Sequence, residues 1–428
     1  MYWIESFSSF LWGLPMTALL MSMHIFTTIR LNGVQFHIIR QIKAFFMNKK
    51  YDNKGISQNS AFLTILASTM GTGNILGVSS AIISGGPGSL FWMIIAGFLG
   101  MATKYAETWL AVKHQKLQKD GTYIGGAMIV LKNYPVLSHL FVFFTCCAGL
   151  GIGCSIQSNA ASQMIHDTFK IPVIIIAVTL SVLTGLVILK GFQGIVSFCN
   201  VLIPVAGLLY LISCGLILWM NQDLLLSSIK LILSSAFSPQ SFAGGLLGTS
   251  VRSAIRYGIS RGLFTNEAGM GSTPILSASS FCYNAENPSY IAMMSVFFDT
   301  IIVSSITGLV FVSCMIRTPA LFLIHQSQSL ALACFSLIPF TGKYILTIST
   351  TLFAFSTMIG WCAIAERPLQ FLYGYTSVII YRFLWILFVF LGCMTDLRFL
   401  WSCSDLFNAF MCLPNIFMIL QYIDQIQT

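Results

Sequence analysis

Charge is what this sequence has least of. Asp, Glu, Lys and Arg make up 8% of its 428 residues, where a soluble domain carries about a quarter. A soluble core of this size needs a charged shell that the chain does not supply, so a water-soluble globular protein and a disordered one are both excluded. Metal and nucleotide motifs are missing too. There is no HExxH and no Walker A sequence, and the six His are scattered without metal-ligand spacing. The twelve Cys form no CxxC and mostly lie in apolar runs, where they read as small buried hydrophobes. The first apolar stretch has no basic leader and runs into a charged loop, so it reads as a retained helix.

What the chain does have is apolar length. Hydrophobic residues make up 56%, and mean hydropathy is +0.83. A helix crossing the hydrocarbon core needs about 20 such residues. Apolar segments fall at 9–30, 59–84, 88–112, 136–165, 172–190, 194–220, 241–280, 289–316, 339–372, 376–395 and 402–422, here numbered 0 to 10. The pattern predicts an all-α polytopic membrane protein of about eleven transmembrane helices.

The net charge of +9 does not indicate nucleic-acid binding, because the cations gather between apolar segments. Arg30, Arg40, Lys43, Lys49, Lys50 and Lys54 share one loop, and Lys113, Lys116 and Lys119 another. The positive-inside rule makes both cytoplasmic. That puts the N-terminus outside and the C-terminus in the cytoplasm of a cell that carries the protein in its plasma (inner) membrane.

Two segments are interrupted. Segment 1 contains Gly71-Thr72-Gly73-Asn74, then Gly85-Gly86-Pro87-Gly88, and segment 6 contains Gly244-Gly245-Leu246-Leu247-Gly248. Each Gly costs about 1 kcal/mol against Ala in a helix. Close helix packing is one explanation, since Gly73/Gly77, Gly149/Gly153 and Gly244/Gly248 have small-xxx-small spacing. Matched breaks opening two sets of five segments point to a transporter site instead. A broken helix frees backbone amides and carbonyls. The amides of Thr72, Gly73 and Asn74 suit a carboxylate. The carbonyls of Ala67 and Met70 suit a hard cation such as Na⁺. The Asn74 amide fits either ligand, or a plain helix cap.

Several stretches then resemble the sodium:alanine symporter family, also called alanine or glycine:cation symporters. They are Met70–Ile75 with Gly85–Gly88, and Gly100-Met101-Ala102-Thr103-Lys104-Tyr105-Ala106-Glu107. Segment 6 adds Arg261-Gly262-Leu263-Phe264-Thr265-Asn266-Glu267-Ala268-Gly269-Met270-Gly271-Ser272. Segments 8 and 10 add Phe353–Thr357 with Gly360-Trp361, and Leu413-Pro414-Asn415. The resemblance implies a leucine-transporter-type 5+5 inverted repeat with broken helices 1 and 6. Residues 1–58 then hold an extra helix and basic loop, 59–220 the first repeat, and 241–428 the second. It implies a substrate site at Thr72, Gly73, Asn74, Gln157, Gly245, Thr357 and Trp361. It implies a Na⁺ site at the Ala67 and Met70 carbonyls with the Ser356 and Thr357 hydroxyls, Thr357 serving either ligand. No cofactor is implied beyond Na⁺ as coupling ion. The chain departs from the family pattern at Ala127, and at Cys362-Ala363, where two tyrosines are usual. Those departures bear on substrate choice and the inner gate.

Four embedded acids stand out: Glu107, Glu267, Asp299 and Glu366. Intramembrane acids are functional by default. Lys104, Arg256, Arg261 and Arg367 lie close to three of them in sequence, which reads as an inner salt-bridge network, gating or structural. Asp299 reads as the more isolated one, either neutral or hydrogen-bonded. Gly258-Ile259-Ser260-Arg261-Gly262 fits a hydrolase nucleophile elbow but lacks the strand such an elbow needs. The reading is therefore a symporter importing alanine, or glycine, with Na⁺. A channel would want charge rings or a polar pore stripe, and a membrane enzyme a catalytic constellation. Neither stands out.

Overall fold

The computed structural model describes residues 2–47, 58–118, 121–237, 250–279 and 284–426. Among these, eight helices are long and apolar enough to cross a membrane, or nine if one bent pair counts as a single span. The eight correspond to segments 0, 2, 3, 5, 7, 8, 9 and 10, and the bent pair is segment 1. The other two expected segments are shorter. Segment 4 is Val173–Ile188, and segment 6 is Val251–Asn266 followed by Ser272–Ser277. The chain is an integral, multi-pass membrane protein. Large apolar side chains such as Val201, Leu208 and Ile212 stand exposed on segment 5. In water they would form a sticky patch; in a bilayer they face lipid.

Segment 0 extends further than expected, from Trp3 to Arg30. It packs on segment 2, Ser89–Lys113, where His24 Nδ1 lies 2.7 Å from Thr103 Oγ1. Two short helices also went unexpected, Leu225–Phe237 and Ser327–Phe335. Each is well below spanning length.

Segment 1 breaks where the glycines predict. Gln58–Thr69 ends, Gly71 takes an extended conformation, Thr72–Asn74 makes one 3₁₀ turn, and Leu76–Gly85 continues. The two halves bend by 62°. Segment 6 has a break that the sequence analysis did not place. Gly244, Gly245 and Gly248 lie outside the described residues. Among the described ones, Ser250 caps a helix that runs unbroken to Asn266. The break is Glu267–Gly271, where Glu267, Gly269 and Gly271 all have positive φ. Left-handed backbone cannot continue a right-handed helix, and glycine adopts it freely. The Gly258–Gly262 elbow pattern lies inside that unbroken helix, with no strand before it.

Segments 3 and 7 each contain a π-helical stretch, Gly149–Ser155 and Phe297–Ser304. Such stretches collect at functional sites. The first lies just before Gln157 and the second contains Asp299. At Gly153 a Cβ would fall 2.3 Å from the Trp361 Cβ. The Gly149/Gly153 pair is therefore a packing device, and what it admits is a site residue.

Candidate functional site

The break in segment 1 is the centre of the site. The Thr72 N–H and hydroxyl both donate to Gln157 Oε1, at 3.1 and 2.9 Å. The Gln157 amide in turn donates to the Ile152 carbonyl inside the π-helical stretch, at 3.2 Å. From segment 8, Gly342–Tyr373, the Thr357 hydroxyl donates to the Ala67 carbonyl at 3.1 Å. A Cβ on Gly71 would lie 2.7 Å from Thr357 Oγ1 and 3.1 Å from Gln157 Oε1. So segments 1, 3 and 8 meet at that position with no room for a side chain.

Gly73, Gln157, Thr357 and Trp361 line one small cavity of about 10 Å³, together with Phe264 and Glu267 of segment 6. That is room for about one water. Trp361 is fully buried, and its indole N–H donates to Glu267 Oε1 at 2.9 Å. Ser272 donates to Glu267 Oε2 at 2.6 Å. A separate vestibule of about 890 Å³ is lined by Thr72, Leu76, Arg261, Asp396, Arg398 and Trp401, among others. The Phe264 and Trp401 rings pack at 4.4 Å, and the Arg261 guanidinium lies 4.6 Å from the Trp401 ring centre. Phe264 lines the cavity and Trp401 the vestibule, so this tilted ring pair borders both.

Of the expected substrate residues, Gly73, Gln157, Thr357 and Trp361 line the cavity. Thr72 joins them through Gln157. Asn74 turns elsewhere: its Nδ2 donates to the Asp299 carbonyl at 2.9 Å, to Asp299 Oδ1 at 2.8 Å and to Ser304 at 3.2 Å. Gly245 lies outside the described residues. Of the expected Na⁺ ligands, Thr357 and the Ala67 carbonyl are in contact, while the Ser356 hydroxyl donates to Phe353 in its own helix. Met70 is buried at the end of the first half-helix. Sequence reasoning missed Phe264 and Thr265, which look like ordinary helix residues. It placed Glu267 in a gate network instead of beside the cavity. The one available signal was Gly269 and Gly271, marking a turn just after Glu267.

The acid network is partly as expected. Lys104 Nζ lies 3.6 Å from Glu107 Oε1, both fully buried. Glu107 Oε2 also accepts from the Gly271 N–H at 3.2 Å and from Asn415 at 2.8 Å. Two expectations change. Glu366 pairs with Arg382 through two bonds of 2.8 and 3.0 Å, not with adjacent Arg367. Neighbouring helix residues point about 100° apart, whereas segment 9 brings Arg382 alongside. Arg367 instead donates to Thr122 and the Tyr123 carbonyl. Neither Arg256 nor Arg261 reaches Glu267: Arg256 donates to the Ser9 carbonyl, and Arg261 covers Trp401. Asp299 forms no ion pair among the described residues and is hydrogen-bonded, accepting from Asn74 and Thr300.

The bent segment 1 and the turn in segment 6, facing each other across a mid-chain cavity, are the layout of a secondary transporter. The chain belongs to the sodium:alanine symporter family, whose pattern matches residues 1–427. An uncharacterized transporter of Haemophilus influenzae is 36% identical over 425 residues, covering 96% of this chain and 91% of the relative. The sodium/alanine symporter AgcS of Methanococcus maripaludis is 34% identical over 423 residues, covering 96% and 92%. Among solved structures, a Na⁺-coupled sialic acid symporter in a substrate-bound outward-open state superimposes with a TM-score of 0.57 over 91% of this chain and 82% of its own, at 12% identity. That likeness concerns the fold alone. The family and these relatives are transporters, not enzymes.

Proposed function

We propose that the chain imports a small neutral amino acid, alanine first and glycine second, together with Na⁺ by alternating access. The observation that carries this is the meeting at Gly71. Gln157 and Thr357 line the cavity walled by Trp361, and they hydrogen-bond the two sides of the break, Gln157 at Thr72 and Thr357 at the Ala67 carbonyl. The Thr72 N–H and hydroxyl hold an oxygen, that of Gln157. A substrate carboxylate supplies the same kind of acceptor, so substrate displaces Gln157 Oε1 from this pair. Thr357 and the Ala67 and Met70 carbonyls offer neutral oxygens, which suit a monovalent cation better than Ca²⁺.

In this reading the vestibule opens to the outside, the N-terminus is outside and the C-terminus cytoplasmic. The Phe264–Trp401 ring pair is the thin outer barrier. The Lys104–Glu107–Glu267 layer lies on the inner side. A zwitterion adds no net charge, so one Na⁺ makes transport electrogenic. Each 100 mV then contributes about 2.3 kcal/mol. A tenfold Na⁺ gradient adds about 1.4 kcal/mol. Together they support accumulation of roughly a few hundredfold.

The test is uptake of labelled alanine, glycine and leucine into proteoliposomes with Na⁺ or choline outside and no pH gradient. Alanine uptake is expected to need Na⁺ and to rise with inside-negative potential. Equal uptake in choline contradicts the coupling, and a preference for leucine contradicts the substrate.

A further inference from the structure

The two breaks lie side by side: a Cβ on Gly73 would be 3.2 Å from Thr265 Cγ2, and Thr265 is two residues before Glu267. On one side of the cavity Gln157 of segment 3 covers the N–H and hydroxyl of Thr72, the donors at the segment 1 break. The segment 6 side offers a carboxylate. Glu267 is 2% exposed and lines the cavity. Its carboxylate accepts from the Trp361 indole and the Ser272 hydroxyl, both neutral donors. The nearby cation, Lys104, is committed elsewhere. Its ammonium donates to the Glu267 main-chain carbonyl at 3.1 Å and pairs with Glu107 at 3.6 Å. Among the described residues Glu267 forms no side-chain ion pair. A carboxylate has about four acceptor positions, and neutral donors fill two of them. A buried charge held this way calls for a cation that also donates hydrogen bonds.

We propose that Glu267 is the anchor for the α-ammonium group of the substrate, and so restricts the carrier to amines over hydroxy acids of the same size. This rests on the amino-acid reading above and adds the residue that recognises the amine. The cavity has room for about one water as it stands, so it opens when substrate displaces Gln157 from Thr72, and the zwitterion then lies with its carboxylate on the Thr72 donors and its ammonium on Glu267. Trp361 and Ser272 hold the carboxylate in place without neutralising it. An α-hydroxyl brings no charge, so a hydroxy acid leaves the buried carboxylate uncompensated and adds a second anion.

The experiment uses the full chain in detergent with saturating Na⁺. Thermal stabilisation is measured against alanine and against lactate, in which a hydroxyl replaces the ammonium. The wild type is expected to respond to alanine and not to lactate. Glu267→Gln keeps an oxygen for Trp361 at the same size. It is expected to weaken alanine by at least about tenfold and to collapse the alanine-over-lactate preference, while the stabilisation by Na⁺ alone persists. Where the Gln variant does not insert, Glu267→Asp carries the test. The charge is withdrawn by one bond, so alanine weakens severalfold while lactate stays excluded. Unchanged alanine affinity in either variant overturns the assignment. So does loss of the Na⁺ response with the alanine-over-lactate ratio intact, which would make Glu267 a cation or structural residue. A wild type that responds to no amino acid at all overturns the transport reading itself, and this assignment with it.

Discussion

Thr357 carries two obligations on one oxygen. Its hydroxyl donates to the Ala67 carbonyl, and it lines the cavity. Thr357→Val removes that oxygen at nearly constant volume and costs only about 1 kcal/mol in stability. Insertion and melting should hardly change, while the half-saturating Na⁺ concentration, the alanine KM, or both rise. Unchanged kinetics for both ligands would remove segment 8 from the site. Trp361 is the neighbouring case, a fully buried ring fixed by Glu267. Trimming it to Ala opens the wall and should weaken alanine by roughly 1–3 kcal/mol. Leucine should gain relative to alanine when uptake rates are corrected for protein amount. A ratio that stays fixed while expression falls would make the ring a packing residue alone. The family resemblance implied these two residues, and being four apart they share one helix face. It could not show what Trp361 bonds to, because Glu267 is 94 residues away.

The broken and paired segments impose tighter constraints. At Gly71 a Cβ would meet Thr357 Oγ1 at 2.7 Å and Gln157 Oε1 at 3.1 Å. Gly71→Ala should therefore abolish uptake while leaving the protein inserted, which flux and surface labelling together would show. Segments 8 and 9 are joined by the buried Glu366–Arg382 pair. Arg382→Met strands a carboxylate and should destabilise by about 3–5 kcal/mol. Adding Glu366→Gln should recover much of that loss in a melting experiment, and a double variant no more stable than the single one would contradict the pairing. The break in segment 1 was legible because its glycines fall in mid-span. The described break in segment 6 was obscured by a denser glycine cluster upstream. Gly269 and Gly271 mark the described break, and what they mark is local left-handed backbone. The two π-helical stretches have no composition of their own and were not legible. Nor was the Asn74–Asp299 contact, which joins residues 225 apart.

Across the whole molecule, hydrophobic length revealed most of the plan. Long apolar runs between clusters of cations can only be membrane segments, and their centres match the helices described. The rule of about 20 residues per span is also why Leu225–Phe237 and Ser327–Phe335 escaped it. The large vestibule was not legible, since its lining comes from residue 5, from 72–80, from 156–160, from 261, from 325–328 and from 396–401. In the proposed function it is the outer access to the small cavity that Trp361 and Glu267 help to line. Alternating access requires that asymmetry, and coupling requires that both ligands use the cavity at once. The most direct test is reciprocal. Proteoliposomes are given radioactive Na⁺ outside, and its entry is measured with and without alanine. Alanine should stimulate Na⁺ entry saturably, with the same half-maximal alanine concentration as alanine uptake itself. Na⁺ entry that ignores alanine would contradict a shared, coupled site.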